Sequence, residues 1–107
     1  MENKENLLKI IEHYGIEKQL KYIHSEYYEL DEAIIKAEAY DPTFEPGLAT
    51  VIETVDDYLE HIAEELADVN VMLKQIQVYY GITDQKINEI MQYKIERQLE
   101  RIDNEQK

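Results

Sequence analysis

A 107-residue chain carrying 24 acidic and 11 basic side chains has a formal charge of −13. That charge opposes a nucleic acid polymer or an anionic membrane as partner, but leaves small phosphorylated molecules open wherever carboxylates hold a divalent cation. With no cysteine for disulfides or thiolate metal sites, no leader-like start and no run near the ~20 apolar residues that span a bilayer, a soluble cytoplasmic protein is expected.

Three glycines and two prolines among strong helix formers point to one all-α domain over residues 1–107. Leu7, Leu8, Ile10, Ile11 and Tyr14 predict a first helix over 5–14, with Gly15 where a C-terminal glycine belongs. From Ile16, the apolar positions Leu20, Ile23, Tyr27, Leu30 and Ile34 alternate steps of four and three, which predicts a long helix over 16–40 with a narrow seam. Asp41-Pro-Thr-Phe-Glu-Pro-Gly47 stops it and gives a loop over 41–50. A third helix over 51–80 starts at Thr50, with Glu53 in capping-box register, or at Thr54, and ends before Gly81. Its stripe is Leu59, Ile62, Leu66, Val69, Leu73 and Ile76. Thr83 or Asp84 can cap a fourth helix over 84–103, striped by Ile87, Met91, Ile95, Leu99 and Ile102. Seams this long on so short a chain predict a bundle completed by oligomerisation, as a homodimer or homotetramer.

Two helices carry carboxylates on the borders of their stripes. Glu26, Glu29 and Glu32 follow at three-residue steps on the second helix, and no lysine or arginine stands four residues from Glu26 or Glu29. On the third, Glu65 and Asp68 are three apart and Glu64 and Asp68 four apart. The two half-sites would meet if these helices pack antiparallel. Magnesium, a hard cation that prefers carboxylate oxygens and accompanies phosphates, suits such a set. An EF-hand loop, an HExxH zinc motif and the Glu-x-x-His pairs of a di-iron bundle are all absent. Lys94, Arg97 and Arg101 share one face of the fourth helix, where a phosphate chain would relieve their mutual repulsion. The bland alternatives are a solvated acidic surface and rim arginines that pair with Glu96 or Glu100.

Ser25-Glu26-Tyr-Tyr-Glu29-Leu30 and Glu64-Glu65-Leu-Ala-Asp68-Val69 together resemble the two blocks, Glu-Glu-x-x-Glu and Glu-x-x-Asp, of the MazG-like nucleoside triphosphate pyrophosphohydrolases, an all-α superfamily. Ser25 stands in place of the first glutamate, and the interval from Glu29 to Glu65 is longer than is usual there. A basic segment on a following helix is resembled by residues 94–101, so that the likeness runs from Gln19 to Arg101. The resemblance implies a four-helix MazG-like bundle with Glu26, Glu29, Glu65 and Asp68 as ligands of Mg2+, for which Mn2+ can substitute. Hydrolysis of a nucleoside triphosphate, NTP or dNTP, to the monophosphate and pyrophosphate is the implied reaction.

Within it, Glu64 or Glu32 is placed to serve as general base, and Lys94, Arg97 and Arg101 to bind the substrate phosphates. Tyr27, Tyr28, Tyr79, Tyr80 and Tyr93 are candidates for stacking on a base, though core or interface places suit them as well. His24 adjoins the first block and is expected to be structural or exposed. The alternative functions are a superfamily relative acting on another pyrophosphate substrate, of dUTPase type or phosphoribosyl-ATP, and a non-catalytic helical interaction module.

Overall fold

The computed structural model describes residues 3–39 and 48–106, with side chains for 3–38 and 57–106, and these residues form helices without strands. The helices are α1 (Lys4–Tyr14), α2 (Ile16–Ala39), α3 (Leu48–Tyr79) and α4 (Asp84–Glu105). The expected loop over 41–50 is too long at its far end, because α3 is already helical from Leu48. Leu48 and Ala49 are strong helix formers with no breaker after them. Thr50 and Thr54 therefore lie inside the helix, and neither is its N-cap.

Glycines at two positions make the corners. Gly15, at φ 87°, donates its N–H to Ile11 O (2.7 Å) and accepts from Gln19 N–H (3.2 Å), so a single residue both ends α1 and begins α2. Gly81, at φ 68°, donates to Val78 O (3.1 Å) while the Ile82 N–H donates to Gln77 O (3.0 Å). These two bonds are the paired closure of a Schellman motif, whose left-handed position glycine fills without strain. Thr83 is the cap of α4, its Oγ1 accepting from the Lys86 N–H at 3.1 Å. Asp84 acts differently, since one of its carboxylate oxygens accepts from Gln77 Nε2 (2.7 Å) and Lys74 Nζ (3.0 Å), tying the start of α4 to the end of α3. These partners hold the Asp84 carboxyl below its ordinary range, the Gln77 bond first.

α2 lies along α3, and α1 packs across both. Leu7 and Ile11 from α1, Ala33 from α2, and Val69, Met72 and Val78 from α3 are buried. Gln19 Nε2 donates to Gln75 Oε1 at 2.8 Å in the middle of this apolar set, pairing two amides that would otherwise be desolvated without partners. The stripe expected on α3 is divided. Val69 is buried and Ile62 and Ile76 are largely covered, whereas Leu59, Leu66 and Leu73 remain 58%, 45% and 40% exposed. α4 contributes no buried side chain and, beyond its first turn, where Asp84 bonds to α3 and Gln85 shares a depression with Lys4 and Val78, its backbone approaches none of the other helices among the described residues. The radius of gyration is accordingly 18.6 Å, against about 13 Å for a compact chain of this length. No helix among the described residues is long and apolar enough to cross a membrane.

The paired glutamines give a stability prediction. Gln19→Leu is expected to cost about 1–3 kcal/mol in urea unfolding, because Gln75 then keeps a buried, poorly satisfied amide; adding Gln75→Leu should recover much of the loss.

Candidate metal centre

The same α2–α3 seam that pairs Gln19 with Gln75 brings the acidic borders together further along. Positions rising along α2 meet positions falling along α3, which is the register of an antiparallel pair. Glu26 and Glu29 from α2 meet Glu65 and Asp68 from α3, each offering a carboxylate oxygen within 4.8 Å of the others. Three-residue spacing puts each pair on one helix face, and that face borders the buried seam. Glu26 and Glu65 sit deeper, Glu29 and Asp68 at the open side. The Glu65 side chain is only 13% exposed.

Oε2 of Glu26 and Oε2 of Glu65 are buried and accept no hydrogen bond. Desolvation raises the Glu26 carboxyl above its ordinary value, followed by the charges of Glu29, Asp68 and Glu65. Glu65 is raised by desolvation first, then by Glu29 and Asp68, with His61 opposing. Glu29 lies beside both of them. Buried oxygens without donors, crowded by like charge, form an environment that a hard divalent cation would complete. The donor set consists of carboxylate oxygens alone, which fits magnesium or manganese better than a thiophilic ion.

Sequence reasoning overlooked His61, one turn before Glu65, whose Nε2 stands 3.7 Å from Glu65 Oε1. The four-residue spacing was its signal. Glu32 and Glu64 lie outside the group of four. Glu32 is exposed and accepts a hydrogen bond from the Tyr28 hydroxyl, which raises that phenol above its usual value. Glu64 is exposed and has no hydrogen bond or ion pair among the described residues.

Lys94, Arg97 and Arg101 line one shallow depression on α4, as their spacing predicted, with Gln98 beside them and the Arg97 guanidinium 5.8 Å from the Tyr93 ring centre. That helix stands apart from α2 and α3, so one chain does not bring these cations to the carboxylates. Tyr27, Tyr28, Tyr79, Tyr80 and Tyr93 are all exposed, and Tyr79 and Tyr80 meet edge to face; His24 is exposed as well. Comparison with known proteins finds no match to a family model, a curated protein or a solved structure.

The raised carboxyls set the pH dependence. A glutamate whose folded pKa exceeds its unfolded one binds protons more readily when folded, so it favours the fold below that range and disfavours it once pH rises through the folded pKa. With chelator present, the melting temperature should rise as pH is lowered from neutrality toward the ordinary carboxylate value of 4.5. Glu26→Gln and Glu65→Gln should each flatten that rise when followed by circular dichroism, and magnesium or manganese at neutral pH should raise the melting temperature of the unsubstituted protein only.

Proposed function

We propose that the chain is a magnesium-dependent hydrolase of nucleoside triphosphates, releasing pyrophosphate and the monophosphate. One observation carries the reading: two helices, one from each resembling block, converge four carboxylates into a group that leaves two buried oxygens unpartnered. The choice among NTP and dNTP substrates, and completion of the bundle as a dimer or tetramer, belong to the same proposal.

Glu26, Glu29, Glu65 and Asp68 would hold the metal, which when bound supplies charge neutralisation, polarisation of phosphoryl oxygens and a more acidic water. Glu26 and Glu65 fix the floor of the site from two helices, while the more exposed Glu29 and Asp68 face incoming substrate. In the reaction a water oxygen bonds to the α-phosphorus as the bond to the pyrophosphate oxygen breaks, and the water's proton goes to a carboxylate. Glu64 suits that role better than Glu32, because the Tyr28 hydroxyl already occupies Glu32. Lys94, Arg97 and Arg101, which a single chain holds away from the carboxylates, would supply positive charge for the leaving pyrophosphate once the bundle is completed by another copy.

Pyrophosphate release measured across a panel of canonical and modified nucleotides tests this. At least one nucleotide should turn over with magnesium or manganese, and Glu65→Ala should reduce the rate by more than about 100-fold, since even groups that merely orient a metal ligand are worth 10- to 100-fold. Glu64→Gln should lower kcat more than it raises KM. Turnover on no nucleotide, or full activity in Glu65→Ala, would leave the reading without support.

A further inference from the structure

α4 is 22 residues long and buries nothing. Met91, Ile95, Leu99 and Ile102 lie exposed along it, Leu99 at 60%. α3 has the matching deficiency, since Leu59, Leu66 and Leu73 repeat at heptad spacing, as in a helix-pairing seam, and are left uncovered. At 1.5 Å per residue the two rows extend about 17 Å and about 21 Å, so either can lie along the other. A single chain keeps them apart. The Gly81 corner and the bonds from Lys74 and Gln77 to Asp84 fix the start of α4, and from there it reaches no other helix among the described residues.

Charge identifies what covers them. Lys94 precedes Ile95 and Arg101 precedes Ile102, so cations flank the α4 stripe one residue back; Glu65 precedes Leu66 and flanks the α3 row on the same side. When two facing helices carry flanks on the same side, those flanks meet if the helices run antiparallel and diverge if they run parallel. In a chain of charge −13, Lys94, Arg97 and Arg101 have no ion pair among the described residues, while the acidic group lacks cationic partners other than His61. We propose that a second copy of this chain lays its α4 antiparallel along the Leu59, Leu66 and Leu73 row, each copy doing so to the other, with the partner's basic face at the rim of the acidic group.

A second copy is favoured over an unrelated partner because both complementary surfaces belong to one chain, and a two-fold exchange satisfies both at once. Each copy then contributes the exposed rows of α3 and α4 together. The further consequence, that one subunit's α4 supplies phosphate-binding cations to the other's carboxylates, rests on the hydrolase reading; the docking does not.

The chain has no cysteine, which makes site-directed cross-linking clean. Light scattering should give a multiple of the 12.8 kDa chain mass. Differently tagged, co-expressed chains carrying Leu73→Cys with Met91→Cys, or Leu59→Cys with Ile102→Cys, should form an inter-chain disulfide on oxidation, and Leu59→Cys with Met91→Cys should not. Leu99→Glu should shift the mass to that of a monomer while circular dichroism keeps the helical signal. A monomeric mass for the unsubstituted chain, cross-linking of the parallel pair in place of the antiparallel ones, or no cross-link in any pair would overturn the proposal. Cross-links in a protein that releases no pyrophosphate would remove the hydrolase reading and leave the dimer standing; pyrophosphate release by a monomer would do the reverse.

Discussion

The antiparallel seam between α2 and α3 forces like charges into one groove. Ala33, Val69 and Met72 are buried where the chain packs, and the carboxylates one step around each helix are drawn into the groove with them. The inner oxygens of Glu26 and Glu65 are shielded from water, and no lysine or arginine among the described residues pairs with them. Their raised proton affinity expresses that confinement. A structure that needed only the apolar seam would do better with neutral side chains in those places. Glu26 and Glu65 are held there against desolvation and neighbouring like charge, and a hard divalent cation would relieve both.

The remaining architecture follows from how little apolar surface the seam consumes. Six apolar residues are buried among those described, and α3 turns half of its stripe away from α2. α4 is set on its own course by the Gly81 closure and the Asp84 links. The helix that carries the cations is thus held away from the carboxylates of its own chain. Separation of the two charge sets is a property of the single chain, and assembly is what would reunite them.

Much of this was legible in the sequence. Helix ends marked by Gly15, Gly81 and Thr83 follow from backbone chemistry that only a few residue types supply. The four carboxylates that converge are those singled out from spacing beside an apolar border and from the likeness of the two blocks, since three-residue spacing and antiparallel packing leave little freedom. Less legible was the start of α3, where Thr50, with Glu53 in capping-box register, and Thr54 suggested a later start than Leu48. Periodicity could not distinguish Leu59, Leu66 and Leu73 from Ile62, Val69 and Ile76, because both rows belong to one stripe and only packing decides which is covered. The pairing of His61 with Glu65 and the occupation of Glu32 by Tyr28 depend on side-chain direction, which spacing does not give.

Whether the α2–α3 groove is a metal centre is the claim on which the reaction depends. Crystals grown with manganese and measured near its absorption edge address it without reference to any substrate. An anomalous difference peak is expected among Glu26, Glu29, Glu65 and Asp68, with the Glu26 and Glu65 oxygens that now lack partners facing the ion. An absence of anomalous density in the groove at saturating manganese, or a peak only at other surface carboxylates, would contradict it.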